Sequence, residues 1–190
     1  MINNFYDIPE KEQKEILRKY LKKYKNMKYR IAALEKRKRV IERNSISLQS
    51  PSCDRDPVQG NGSSPGAAAM TYRCSEIESE ITKAKSEAER VIEEIYKVIK
   101  LLSSDSVERT IVEYRYIDCM SWNKIYPVMN YSKSRCHDYE NAGLTLLLTF
   151  AKVQEIVLFD YKQELEEKER LRKLGKEIIE NKKHRTQSDT

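Results

Sequence analysis

The spacing of apolar residues predicts two long helices in the first half of the chain. From Pro9 to Arg43, apolar side chains recur at alternating intervals of three and four, interrupted only at Lys38, and a second series keeps the alternation unbroken. Such heptad stripes need an apolar partner. The chain is therefore expected to be all-α, with a long antiparallel heptad helix hairpin or, alternatively, pairing between chains. The two series are Leu17, Tyr20, Tyr24, Met27, Ile31, Leu34 and Ile41, then Ile77, Ile81, Ala84, Ala88, Val91, Ile95, Val98 and Leu102.

The composition between the two stripes predicts a flexible connection. Residues 45–71 contain three of the five Pro and three of the five Gly, which disfavour regular helix. We therefore expect a basic heptad helix at 1–44, a flexible linker at 45–71 and a second heptad helix at 72–104. The pattern that follows predicts a compact domain at 105–148, a C-terminal helix at 149–182 and a disordered tail at 183–190.

A helix-turn-helix pattern lies at the centre of the predicted compact domain. Trp122, Ile125 and Val128 form the apolar stripe of a short helix. Asn130 suits the corner because Asn tolerates a left-handed backbone, and Ser132 can cap the helix 132–147 that follows. Short polar side chains on one side of that helix suit base edges and phosphates. The expected apolar side holds Cys136, Tyr139, Gly143 and Leu147, and the polar side holds Lys133, Ser134, His137, Asp138 and Asn141.

Further helices are expected on either side of this pair. The preceding helix can be capped by Ser104 or by Asp105, with Glu108 completing a capping box. The C-terminal helix begins with a stretch too apolar for a free surface, so it is expected to pack first and then to project as a charged helix. The apolar positions are Val107, Ile111, Tyr114 and Ile117 in the preceding helix, then Leu147, Leu148, Ala151, Val153, Ile156, Val157 and Phe159.

The window Ser121–Leu147, SWNKIYPVMNYSKSRCHDYENAGLTLL, resembles the −35-reading domain of the sigma-70 family, region 4. The family pattern aligns without gaps, and residues 107–120 resemble the helix that precedes it. Three positions depart from the pattern: Tyr126 where a small residue is usual, Pro127 inside the first helix, and Asn130 in place of the turn glycine. The matching places are held by Ser121, Ile125, Met129, Tyr131, Ser132, Cys136, Tyr139 and Leu144.

The order of segments is similar to that of late-transcription regulators of phages and prophages of Gram-positive bacteria, the RinA and ArpU type. That family combines a heptad hairpin, a connection containing D-x-P-V-Q-G and a sigma-region-4-like domain. Here the motif is DRDPVQG, Asp54 to Gly60, and the resemblance spans residues 9–148. It implies a sequence-specific DNA-binding transcriptional regulator, an activator of phage or prophage late genes.

The same resemblance implies which residues contact double-stranded DNA. Helix 132–147 would lie in the major groove as the recognition helix. Lys133 can donate to guanine or phosphate, Arg135 would reach a phosphate, and Asp138 can only accept, as from a cytosine amine. The implied DNA-binding residues are Ser132, Lys133, Ser134, Arg135, His137, Asp138 and Asn141.

Positive charge is concentrated in the predicted first helix. The chain carries a net charge of +6, but residues 1–50 hold 14 Lys and Arg against 6 Asp and Glu, a net charge of +8. Clustered Lys and Arg release counterions when they contact DNA phosphates. The alternative is a solvated helix face without a ligand, which is common on exposed helices.

The helix-turn-helix window itself carries little charge. Residues 121–144 hold three basic and two acidic side chains, a net charge of +1. One copy is therefore expected to bind DNA weakly. A homodimer or higher homo-oligomer, the basic first helix, or RNA polymerase as a second partner is expected to supply the remaining affinity.

Several classes of function lack the residues they need. No carboxylate is paired with a nucleophile, so the sequence does not predict an enzyme. No CxxC or paired Cys and His spacing predicts zinc, GNGSSPG lacks the Lys that completes a phosphate loop, and no cofactor is expected. Cys119 and Cys136 are expected to be buried thiols. No run of about 18 apolar residues and no signal pattern is present, so we expect a cytoplasmic protein rather than a membrane protein. The family resemblance implies a bacterial host cell and association with the nucleoid.

Three other interpretations remain open. A small terminase-like DNA-packaging subunit also joins a helix-turn-helix to oligomerising helices. A sigma-like or anti-sigma protein would act through RNA polymerase with little DNA binding of its own. A structural coiled-coil protein would use the heptad helices alone. The same heptad pattern is compatible with a hairpin and with a parallel dimer.

Overall fold

The computed structural model describes residues 4–48 and 67–188, and every regular element in these two ranges is helical. The all-α prediction is therefore confirmed for the described part of the chain. A short 3₁₀ helix at Phe5–Asp7 precedes six α-helices: α1 (Glu10–Leu48), α2 (Ala67–Ile99), α3 (Val107–Tyr116), α4 (Trp122–Met129), α5 (Lys133–Leu147) and α6 (Ala151–Ser188).

The helices α1 and α2 pack against each other along their apolar stripes. Two ion pairs flank the packing: Lys85 Nζ lies 2.9 Å from Glu35 Oε1, and Lys38 Nζ lies 2.6 Å from Glu78 Oε1. Later residues of α1 thus face earlier residues of α2. These exposed pairs each contribute little to stability, so the apolar stripe supplies most of the association.

Both long helices extend into the predicted linker. Helix α1 continues to Leu48 and α2 begins at Ala67, whereas the sequence analysis placed a flexible segment at 45–71. No Gly or Pro occurs from Asn44 to Leu48, and three consecutive Ala open α2, so local helix propensity favours the extension. Residues 49–66, with the Pro and Gly that motivated the prediction, lie outside the described residues.

The main hydrophobic core lies where five α-helices meet. The first part of α1 contributes to it, whereas Met27, Ile31 and Ile41 further along the same stripe are only half-buried. The heptad pattern therefore identifies the face of α1 but not the depth of its burial. The core includes Leu17 and Leu21 of α1, Ile95 and Ile99 of α2, Val112 and Tyr116 of α3, Leu144 and Leu147 of α5, and Val153 and Val157 of α6.

Helix α3 begins at Val107, one residue later than a cap at Asp105 allows and two later than a cap at Ser104 allows. Ser106 is the N-cap, and its hydroxyl accepts a hydrogen bond from the backbone N–H of Arg109 at 3.2 Å. The prediction of Ser104 or Asp105 was wrong because Ser103 to Ser106 are all capping residue types. Which of them caps depends on where the apolar face of α3 meets the core.

Helix α6 turns away from α5 by 97° and packs through its first part. Val153 and Val157 are buried, but Phe159 is 62% exposed, so its predicted packing was wrong. Phe159 lies two residues beyond Val157, about 200° around the helix, on the far face. The helix continues through Ser188, past the tail predicted to be disordered from 183, because no Gly or Pro follows Gly175.

No single helix in the described ranges is long and apolar enough to cross a membrane. Only α5 and α6 taken together reach that length and composition, and they are bent at the break between them.

Candidate nucleic-acid interface

The turn between α4 and α5 has the backbone geometry that the sequence predicts. Asn130 adopts φ 55° and ψ 34°, the left-handed conformation, immediately after α4. Ser132 is the N-cap of α5, and its hydroxyl accepts a hydrogen bond from the backbone N–H of Arg135 at 3.3 Å. Both predictions are confirmed, because the chemistry of each residue matches a local requirement of the turn.

Helix α4 keeps its helical conformation over Pro127. The helix has only eight residues, Trp122–Met129, and Pro127 is exposed on it. A proline removes one backbone donor and crowds the preceding turn. Because α4 ends two residues later, few further hydrogen bonds depend on this position. Ile125 is fully buried and fixes α4 on the domain.

Gly143 lets α5 approach α3 closely. A Cβ atom at this position would lie 3.2 Å from Val112 Cγ2 and 3.3 Å from Glu108 Cβ. Such distances are tighter than ordinary van der Waals contact, so a larger residue would push the helices apart. The buried residues Cys136, Leu144 and Leu147 form the rest of the α5 core face.

A buried polar network joins α5 to α3 and α1. The hydroxyl of Tyr116 donates a 2.7 Å hydrogen bond to Glu140 Oε1, and Glu140 is 6% exposed. Arg18 Nε of α1 lies 3.9 Å from Glu140 Oε2, and the Arg18 guanidinium also donates to the side-chain oxygen of Asn141. Burial, followed by the neighbouring Glu140 carboxylate, raises the pKa of Tyr116. The phenol therefore remains a donor at neutral pH.

The sequence analysis did not identify this network, although one signal was present. Glu140 lies four residues after Cys136 and four before Leu144, in the middle of the apolar side of α5. A carboxylate at such a position needs a buried partner. Tyr116 and Arg18 are those partners. Arg18 lies 122 positions before Glu140 in the chain, so no local pattern reveals it.

The first two turns of α5 are the exposed part of the candidate interface. The side chains of Ser132, Lys133, Ser134, Arg135 and Asp138 are all exposed there. Backbone N–H groups at a helix N-terminus add partial positive charge to that of Lys133 and Arg135. The start of α5 can therefore donate hydrogen bonds to an anion, while Asp138 adds one acceptor.

Two tyrosines hold the guanidinium of Arg135. Its Cζ lies 6.0 Å from the Tyr131 ring centroid and 5.7 Å from the Tyr139 centroid, and its Nε donates to the Tyr139 hydroxyl at 3.3 Å. That hydrogen bond raises the pKa of Arg135 above its usual value. Tyr139 is half-buried beside Arg135 rather than a member of the α5 core, where the sequence analysis had placed it.

His137 packs between α4 and α5 instead of extending beside Lys133. Its ring centroid lies 4.1 Å from that of Trp122, and its Nε2 lies 3.0 Å from the Tyr126 hydroxyl. Arg115 Cζ lies 5.0 Å from the Trp122 ring centroid on the same cluster. Tyr126, the bulky departure from the sigma pattern, thus gains a partner in His137. The predicted contact of His137 with DNA stays a prediction.

The seven predicted residues therefore fall into two groups. Five are exposed in the first two turns of α5 and, among the described residues, have no partner in the core. His137 is half-buried against Trp122, and Asn141 is exposed but accepts a hydrogen bond from Arg18. Among the described residues, no three His, Cys, Asp or Glu side chains are grouped as ligands for a metal ion. Cys136 is buried as predicted, but Cys119 is only half-buried at a residue with φ 57°, between α3 and α4.

No family model, no curated protein and no solved structure matches this chain.

Proposed function

We propose that this protein is a sequence-specific DNA-binding transcriptional regulator that reads the major groove with α5. In this proposal α4 and α5 form a helix-turn-helix within a sigma-region-4-like domain, and α1 and α2 form an antiparallel heptad hairpin. The observation that carries the proposal is the exposed, Ser132-capped start of α5, whose first two turns present Lys133, Ser134, Arg135 and Asp138 after the left-handed Asn130.

The chemistry of these two turns matches what a duplex offers. The major groove is about 12 Å wide and admits one α-helix, with its N-terminal residues nearest the base edges. Lys133 and Ser134 would donate to bases, and Asp138 would accept from a cytosine amine. Arg135, held by Tyr131 and Tyr139, would contact a phosphate with little further loss of side-chain entropy.

The direction of regulation and the kind of cell in which it takes place are inferred from the family resemblance. The family resemblance gives an activator of phage or prophage late genes in the cytoplasm of a bacterial cell, with RNA polymerase as a further partner. The net charge of +1 over residues 121–144 favours a homodimer or a second DNA-binding surface, since few phosphates are neutralised by one copy.

The test is selection of bound duplexes from a random-sequence pool by the full chain, followed by affinity measurements across a salt series. The test variant is Lys133→Ala/Ser134→Ala. The control is Lys83→Ala/Ser86→Ala, which removes the same two exposed residue types from α2. We expect a preference of about 10³-fold or more for the selected sequence, lost in the test variant and kept in the control.

Other results would contradict the proposal. Equal binding of all duplexes by the wild-type chain would exclude sequence-specific reading. Binding to core RNA polymerase without any duplex preference would favour a sigma-like factor instead. A ring-shaped oligomer that binds DNA would favour a terminase-like packaging subunit.

A further inference from the structure

Helix α1 carries a second stripe, which is basic and lies on the face away from the apolar one. Its positions alternate by four and three, as do those of the apolar stripe, so they stay on one side of the helix over its whole length. Six of the eight are basic and none is acidic. We call this set the basic face: Arg18, Lys22, Lys25, Tyr29, Ala32, Lys36, Arg39 and Arg43.

The basic face is open to solvent and largely unneutralised. Lys22, Lys36 and Arg43 are exposed, and within the described ranges none of them lies within ion-pair distance of a carboxylate. The ion pairs that tie α1 to α6 use Lys19 and Lys23 instead, which bond Glu164 and Asp160. The fold thus neutralises the flanks of α1 and leaves this face charged.

The like charges of the basic face lower the stability of the helix that carries them. Arg18, Lys22 and Lys25, and then Lys36, Arg39 and Arg43, follow one another at intervals of three or four residues with no acidic residue among the face positions. Like charges three or four residues apart each destabilise a helix by about 0.2–0.5 kcal/mol. Solubility alone is served better by interspersed charges of both signs. Dissolved salt screens this repulsion only in part, whereas a bound polyanion supplies opposite charges directly beside the face.

The position of the face relates it to the candidate interface. Its first residue, Arg18, contacts Glu140 and Asn141 of α5. The positive charges of Lys28, which lies beside the face, and of Lys25, which belongs to it, reach Cys119 between α3 and α4, where they oppose the effect of burial on its pKa. From Arg18 to Arg43 the face runs about 38 Å at 1.5 Å per residue, close to the 34–36 Å of one turn of B-DNA.

We propose that the basic face of α1 binds the phosphate backbone of duplex DNA that flanks the site contacted by α5. This inference rests on the proposed function, because it places α1 and α5 on the same duplex. It supplies the charge that the helix-turn-helix lacks, and it adds affinity without sequence information. The protein therefore contacts about one more helical turn of DNA on one side of the site read by α5.

The experiment uses the full chain and the variant Lys22→Gln/Lys36→Gln/Arg43→Gln. The matched control is Lys162→Gln/Lys168→Gln/Arg172→Gln, which removes three exposed positive charges from α6. Each protein is titrated with a short duplex that carries the selected site and with duplexes extended by about 10 base pairs on either side. Circular dichroism verifies that helix content is equal in all three proteins.

We expect the wild-type chain and the control to gain affinity when the duplex is extended on one side. The test variant loses that gain, and its slope of log affinity against log salt falls by about 2 to 3, or 0.9 for each lost phosphate contact. Its preference for the selected sequence over other duplexes is unchanged. If extending the duplex raised the DNA affinity of the test variant as much as that of the control, the inference would be overturned.

The outcomes separate this inference from the proposed function. If the α5 variant loses the preference for the selected sequence and the α1 variant binds as the wild type does, α5 reads the sequence and α1 makes no flanking contact. If no sequence is preferred but the α1 variant has a smaller salt dependence of its DNA affinity, the flanking contact stands and sequence-specific regulation is rejected. Binding to acidic polypeptide in place of duplex would overturn both.

Discussion

The hydroxyl of Tyr116 lies 2.7 Å from Glu140 Oε1 in the interior of the domain, where the side chain of Glu140 is 8% exposed. This hydrogen bond joins α3 to the middle of α5, one residue before Asn141. A carboxylate buried in this way is tolerated only because its oxygens have donors. The position of α5 therefore depends on a polar contact as well as on the apolar core.

Substituting Tyr116 with Phe leaves one Glu140 oxygen without its buried donor. The variant is expected to lose about 1–3 kcal/mol of unfolding free energy, the penalty of an unsatisfied buried acceptor. Urea unfolding at neutral pH measures the loss. Tyr114→Phe on the same helix is the control, because the Tyr114 hydroxyl makes no hydrogen bond with the described residues. Equal stability of the two variants would contradict the assignment.

Alkaline pH is expected to destabilise the fold through its buried tyrosines. Burial, with smaller contributions from Glu94 and Asp160, raises the pKa of Tyr20 from 10.0 to about 12. Because the unfolded chain ionises first, stability is full below pH 10 and falls as pH rises towards 12. Two units correspond to about 2–3 kcal/mol for Tyr20. Urea midpoints at pH 8 and pH 11.5 test this, and the decrease is expected to be smaller in Tyr20→Phe than in the wild type or in a control with the exposed Tyr72→Phe.

The two described glycines are expected to respond oppositely to alanine. At Gly143 the added Cβ meets Val112 and Glu108, so crowding outweighs the helix propensity gained and the net loss is about 1 kcal/mol. At Gly175 no atom lies within 4 Å, so alanine raises local helix stability by about 1 kcal/mol. Urea unfolding measures the first change, and amide exchange in α6 measures the second. A Gly143→Ala protein more stable than wild type would show that α3 and α5 do not approach this closely.

The left-handed backbone of Asn130 gives a residue-specific prediction for the turn. Asn130→Ala is expected to cost about 1 kcal/mol, because a Cβ without a polar side chain is disfavoured at φ 55°. Asn130→Gly is expected to change stability by a few tenths of a kcal/mol at most, since glycine adopts this conformation freely. Thermal unfolding of both variants makes the comparison. A loss from Gly as large as that from Ala would mean that the side chain, not the backbone, determines the turn.

The local features of this molecule could be predicted from its sequence, whereas contacts between residues far apart in the chain could not. The helical class, the left-handed Asn130 and the Ser132 cap follow from properties of single residues and their neighbours. The Arg18 contact with α5 and the exposure of Phe159 do not, because each depends on how two helices are placed in space. The periodicity of α5 also placed His137 on the polar face, but the packing of His137 against the Trp122 ring depends on where α4 lies relative to α5.

Helix α1 is buried unequally along its length. Its first part is fixed in the core through Leu17 and Leu21, and the part beyond Leu34 pairs with α2. From Leu21 to the end at Leu48 the helix extends about 40 Å. A tilt of about 10° at Leu21 displaces the far end by roughly 7 Å over that length. Arg18, which contacts α5, lies three residues before Leu21. A change in the tilt of α1 about Leu21 therefore changes the position of Arg18 relative to Glu140 and Asn141.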